Sequence, residues 1–257
     1  MDLSSASLTV LVLLSARVGG LMLVAPIFSS KQVPTKIKVG LIVLLAILLQ
    51  PVAHGALAVD PVLTPATFLT ELVTGFGIGL GAAIIVGAAE FAGDLMGVQI
   101  GLSGAAVLDP TNGSSQNVLG QFTSLFAATL LLAVNGHLVM IDALARSFRV
   151  VPVGAEMHAA GLWPMARDGA TLFALGLQFA APVVAMVLVG HTALAVLSRA
   201  APQLNVLSVA FPIHIGVGLF ALAASVPILG AFFNGWESGY ATTLTGYLVP
   251  LAHGAAR

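Results

Sequence analysis

Residues 93–121 read GDLMGVQIGLSGAAVLDPTNGSSQNVLGQ. The stretch lies between two long apolar runs, yet it gathers Asp94, Asp109, Asn112, Ser114, Ser115, Gln116 and Asn117, and its first half is rich in glycine. A lipid interior offers no partners to backbone N–H and C=O groups. Polar, non-helical backbone is therefore tolerated at membrane depth only where protein buries it or a water-filled cavity accepts it. The segment reads as one that lines or closes a path through an assembly, and the apolar runs on either side of it read as helices.

Composition supports that frame. Hydrophobic residues make up 58% of the 257 and charged residues 7%, with a mean hydropathy of +1.06, which lies outside the range of ordinary soluble domains. The expectation is an all-α membrane protein of about six long, partly broken helices, each span needing about 20 apolar residues. A net charge of -1 without a Lys/Arg cluster argues against nucleic acid. With no cysteine, disulfides, thiol catalysis and thiolate metal sites drop out. Arg17 interrupts the first apolar run and no basic residue precedes it, so that run reads as a helix of the mature chain rather than a cleaved signal.

The first segment covers residues 6–28, with Arg17 near its middle. A charge there pairs, faces a wet interior or snorkels; Glu71 and Glu90 are the candidate counter-charges. The connector SSKQVPTKIK, with Lys31, Lys36 and Lys38, points to the cytoplasmic side. A second apolar run stops at Gln50 and Pro51, short of a span, and reads as re-entrant or protein-buried. Residues 66–101 carry a small-residue ridge at Gly75, Gly79, Ala83 and Gly87, continued at Ala89, Gly93, Gly97 and Gly101. Such ridges let helix backbones approach closely, within one chain or between subunits. Residues 118–141 form a fourth segment and residues 142–168 a polar connection. Segments 169–197 and 205–233, broken by Pro182, Pro212 and Pro227, form a hairpin around a turn at Ala201, Pro202 and Gln203. Residues 234–257 read as a mildly amphipathic, flexible tail. All of this is expected to form one domain, 1–257, whose N-terminal helices occupy 1–141 and whose hairpin occupies 169–233. Lys and Arg divide evenly between alternate loops of a six-span zigzag, so the charge rule selects no orientation and a simple serpentine is in doubt.

Chemistry is sparse. Gly101, Leu102, Ser103 and Gly104 match the GxSG string of rhomboid-type proteases, but no suitable histidine motif follows. A small-solute permease would lean on Glu71, Glu90 or His214. Glu90 and Asp94 lie one turn apart, as a proton relay or, more plainly, as a helix-end pair near water. His137, His191 and His214 show no metal-ligand spacing, and no phosphate-cradling loop is present. The expectation is a protein without catalytic residues, cofactor or metal.

One set of strings is more specific. Ala25 and Pro26 with Val33, Pro34 and Lys36; Gly93 and Asp94 through Gln99, Ile100, Gly101, Leu102 and Ser103; Asp109 and Pro110 with Gly113; Asn135, Gly136 and His137; Pro152, Val153 and Gly154; and Arg199 through Asn205 occur in one order over nearly the whole chain. This series resembles the flagellar biosynthetic protein FliR family, whose near relative is the virulence type III secretion subunit SctT. The chain departs from the family pattern at Asp94, where many members have Glu, and at Leu138, where some have a second His. The resemblance implies a subunit of a type III secretion export gate, in the bacterial inner membrane at the flagellar basal body. It implies FliP and FliQ as partners, FlhB nearby, and exported flagellar proteins in transit. It also implies helices in tilted hairpins that assemble with partner subunits. In the family, the loop after the third long segment acts as a plug. The matching residues are Ser103, Gly104, Ala105, Ala106, Val107, Leu108, Asp109, Pro110, Thr111, Asn112, Gly113, Ser114, Ser115, Gln116 and Asn117.

Overall fold

The computed structural model describes residues 5–30, 33–55, 61–102, 117–201 and 206–253. Among them the chain is all-α, with no strand. The helices are α1 (Ser5–Val24), α2 (Thr35–His54), α3 (Pro65–Ile100), α4 (Val118–Ala133), α5 (Gly136–Val150), α6 (Leu162–Ala200) and α7 (Val206–His253), with a 3₁₀ turn at Ala159–Gly161. Five helices among the described residues are long and apolar enough to cross a membrane; α4 and α5, bent by 66° to each other, could supply a sixth crossing.

Several helix boundaries and breaks differ from the sequence expectation, and α6 already begins at Leu162, inside the stretch expected as a polar connection. The helix α2 reaches spanning length because Pro51 falls in its last turn, where a missing N–H removes a single bond near the end. The helix α6 runs unbroken through Pro182, which is flanked by the buried Phe179, Ala180, Val183 and Val187. One lost bond does not break a helix whose apolar face is held on both sides of the gap. The fourth segment does break: Asn135 adopts left-handed φ 57°, ψ 28°, a conformation that asparagine tolerates better than most residues, and α5 then extends to Val150. Finally, residues 234–253 form no loose tail. The helix α7 runs unbroken through Pro212 and Pro227, where the sequence predicted breaks, and continues to His253, and Trp236, Tyr240, Leu244, Tyr247, Leu248 and Leu251 are buried along it.

The chain divides into two compact units. The first comprises Met1–Ile84, Leu131–Ala170 and Gly235–Arg257. Within it α1 packs on α2, and α2 touches α5. Its core includes Leu13, Leu14, Leu21, Ile78, Met140, Leu144 and Phe148. The late part of α7 is fastened to α3: the Tyr240 hydroxyl donates to the Ile78 carbonyl at 2.6 Å and the Tyr247 hydroxyl to the Gly77 carbonyl at 2.5 Å. Glycine makes room for those rings, since a Cβ at Gly77 would lie 2.9 Å from the Tyr247 ring and one at Gly81 2.6 Å from the Tyr240 ring.

The second unit comprises Ile85–Leu130 and Thr171–Asn234. Here Ala88, Ala92, Met96 and Ile100 recur every four residues along one face of α3 and pack with Leu119 of α4, Phe179, Val183 and Val187 of α6, and Ala221, Leu222 and Leu229 of α7. Edge-to-face rings, Phe91 on Phe173 at 5.2 Å and Phe179 on Phe232 at 4.9 Å, fill the remaining gaps. In an apolar solvent such contacts count as shape fit rather than as burial from water.

Candidate functional site

The glycine-rich polar stretch is held at both ends, within the second unit. At its start α3 closes with a Schellman cap: the Leu102 N–H donates to the Gly97 carbonyl at 3.0 Å and the Gly101 N–H to the Val98 carbonyl at 3.2 Å. The cap needs a left-handed residue, and Gly101 supplies it at φ 89°. At its end Asn117 does two jobs. Its side-chain oxygen accepts the Leu119 N–H at 3.1 Å, capping α4, and its amide donates back to the Asp94 carbonyl of α3 at 2.9 Å. Asparagine is among the residues best suited to this cap. Gly93, Gly97 and Gly120 permit the approach. A Cβ at Gly93 would lie 2.6 Å from the Leu119 carbonyl, and one at Gly97 or Gly120 would collide with the side chain of Asn117 or Asp94. Residues 103–116, which hold the rest of the plug stretch and Ser103 of the protease string, lie outside the described residues.

Beside this clamp Glu90 and Asp94 are exposed, and the Ser124 hydroxyl donates to the Glu90 carboxylate at 3.1 Å. Glu90 thus joins α3 to α4 and takes no part in pairing Arg17.

Arg17 is fully buried in the first unit, and so is Glu71. The Arg17 Nε donates to Glu71 Oε2 at 2.5 Å, one terminal nitrogen to the Ser147 hydroxyl at 3.0 Å, and the other to the Val151 carbonyl at 2.8 Å. The guanidinium also lies 4.6 Å from the centroid of the Phe148 ring. The second Glu71 oxygen accepts the Gly154 N–H at 3.0 Å, in a turn where Gly154 takes φ +83°. One ion pair therefore ties α1 and α3 to the end of α5 and the turn after it. Taking two charges out of water is costly unless their remaining hydrogen-bonding capacity is met, and here both groups have further partners.

The small-residue ridge divides between the two units. Gly75 and Gly79 meet α1 backbone to backbone: a Cβ at Gly75 would overlap the Arg17 carbonyl, and one at Gly79 would lie 2.7 Å from the Leu21 carbonyl. Gly20 of α1 faces Leu72 and Phe76 in the same way. Ala83 is half-buried, Gly87 abuts the Leu172 side chain, and Gly93 and Gly97 serve the clamp. In the hairpin turn the Ala201 N–H donates to the Leu197 carbonyl at 2.9 Å; Pro202 and Gln203 lie outside the described residues.

His191 and His214 meet edge to face with ring centroids 4.0 Å apart. His214 Nε2 and His137 Nδ1 are buried without a hydrogen-bond partner among the described residues. No group of three His, Asp or Glu side chains that could hold a metal occurs among those residues.

The sequence reading did not anticipate Ser147, Val151 and Gly154 around Arg17, nor Tyr240 and Tyr247. The tyrosines had a signal, since Trp236, Tyr240, Leu244, Tyr247 and Leu251 follow helical spacing. The partners of Arg17 had none, because a backbone carbonyl and a serine 130 residues away leave no mark in the sequence.

Residues 8–237 match the family described as bacterial export proteins, family 1. The chain is 34% identical over 222 residues to the flagellar biosynthetic protein FliR of Pectobacterium carotovorum subsp. carotovorum, an alignment that covers 84% of each chain. It is 30% identical to FliR of Escherichia coli K12, again with 84% of each covered, and 29% identical to FliR of Bacillus subtilis 168, with 83% of this chain and 84% of the relative covered.

Proposed function

The chain belongs to the FliR family of bacterial export proteins, and from that membership we propose that it is a core export-gate subunit of the flagellar type III secretion apparatus. It forms part of the channel through which unfolded flagellar proteins leave the cytoplasm, and it has no catalytic role. It assembles with FliP and FliQ, with FlhB nearby, in the bacterial inner membrane at the basal body. The flagellar name of the relatives reported above favours this system over a virulence one.

Residues 103–117 are the plug in this proposal. The observation that carries it is the clamp: Gly101 caps the end of α3 and Asn117 ties the start of α4 back to α3, so the polar stretch between them is anchored at both ends in an otherwise apolar chain. Glycine and serine suit a segment that changes conformation between sealed and open states.

The test is deletion of residues 105–115 in motile cells, with ion leakage, flagellar export and complex assembly measured together. An assembled complex that leaks ions supports the plug. An assembled complex that stays tight and exports normally rules it out and makes the loop a connector.

A further inference from the structure

The first unit has a cavity of about 280 Å³ between α5 and the late turns of α7. Its wall is formed by Val139 and Val150 on one side and by Leu244 and Leu248 on the other. The polar groups of that wall are committed elsewhere: Ser147 donates to the Leu144 carbonyl, Thr245 to the Thr242 carbonyl, and Tyr240 to the Ile78 carbonyl. The donors of the wall are thus spent, and it presents a mainly apolar surface to an occupant.

The rim differs. Asp142 and Arg146, one turn apart on α5, pair at 2.6 Å with side chains 57% and 68% exposed. With the exposed Arg149 they give α5 a charged face opposite the buried Met140, Leu144 and Phe148. A short helix of that pattern, following a 66° bend out of an apolar helix, lies well at the boundary between headgroups and acyl chains. An ion pair this exposed adds little stability of its own, so each partner can exchange the other for a ligand of the same sign.

We propose that this groove holds one zwitterionic phospholipid with a primary ammonium headgroup, its phosphate on Arg146, its ammonium on Asp142 and the start of an acyl chain against Leu244 and Leu248. Charge complementarity selects this occupant. An anionic lipid would satisfy Arg146 but face the Asp142 carboxylate. A choline headgroup has no N–H to donate to that carboxylate. A partner's apolar helix would leave both rim charges without a new partner. Charge-assisted hydrogen bonds are the strong ones, and the guanidinium fork matches phosphate geometry. The inference rests on the membrane character of the chain, independent of the gate or plug.

The experiment is native mass spectrometry of the full chain purified from membranes into equimolar phosphatidylethanolamine, phosphatidylcholine and phosphatidylglycerol. The expected result is retention of phosphatidylethanolamine about tenfold over the other two, the difference that one charge-assisted hydrogen bond supplies. Asp142→Asn removes the preference, and Ala241→Phe, which fills the groove, removes retention, both with unchanged helical circular dichroism. Equal retention of the three lipids, a preference for phosphatidylglycerol, or a preference that survives both substitutions overturns the proposal.

Discussion

The buried pair of Arg17 and Glu71 makes a sharp energetic prediction. Both side chains have 0% exposure and meet at 2.5 Å. Replacing either one alone, as Arg17→Met or Glu71→Leu, leaves its partner's charge buried without compensation, which costs about 3–5 kcal/mol. Replacing both removes the two charges together. The remaining loss is the side-chain bonds to the Ser147 hydroxyl, the Val151 carbonyl and the Gly154 N–H, at about 1 kcal/mol each. The double variant should therefore lose about 3 kcal/mol, no more than either single variant and far less than their sum. The assay is a double-mutant cycle on the detergent-purified chain, with unfolding followed by circular dichroism and steady-state level in cells as a second readout. Additive losses, or single variants within about 1 kcal/mol of the parent, would refute the view that one neutralised pair joins α1, α3 and the turn after α5.

Three further outcomes follow from the packing. Gly75→Ala would place a methyl group on the Arg17 carbonyl and should lower the melting temperature and the amount of folded chain. Gly169→Ala, which meets no atom within 4 Å, should instead stabilise α6 by about 0.5–1 kcal/mol; thermal melts of the two variants check both signs. Tyr240→Phe and Tyr247→Phe each remove a donor to an α3 carbonyl and should cost about 1 kcal/mol apiece in the same melts. Asn117→Ala removes the α4 cap and the bond to Asp94, at about 0.5–2 kcal/mol, and should speed proteolytic cutting within residues 103–116 of the assembled complex.

Much of the architecture is legible in the sequence. Composition specified an all-α membrane protein, and the order of short motifs specified the family. Arg17 declared itself as a charge in the middle of an apolar run, but choosing Glu71 over Glu90 required the packing of α1 on α3. That packing depends on Gly20, Gly75 and Gly79 meeting backbone to backbone. Proline misled the reading at four positions, Pro51, Pro182, Pro212 and Pro227, each of which lies inside a continuous helix. Pro51 and Pro182 each remove one bond, and where they sit, near an end in α2 and between buried neighbours in α6, decides whether a helix stops. At the C-terminus, the mildly amphipathic pattern after residue 233 hid an apolar stripe, Trp236, Tyr240, Leu244, Tyr247 and Leu251, that is buried along α7. The clamp at Gly101 and Asn117 was half visible. A glycine ending an apolar helix and an asparagine opening the next are cap signals, but the bond from Asn117 back to Asp94 belongs to tertiary structure.

The central claim is that residues 103–116 border the path of exported protein. Its most direct test is a photocrosslinker placed in turn at Asn112 and at Leu48, an exposed position on α2, in cells with a flagellar substrate stalled in export. The account predicts crosslinks to substrate from Asn112, only while the substrate is stalled, and none from Leu48. An assembled complex with no crosslink at Asn112, or equal crosslinks at both positions, would contradict it.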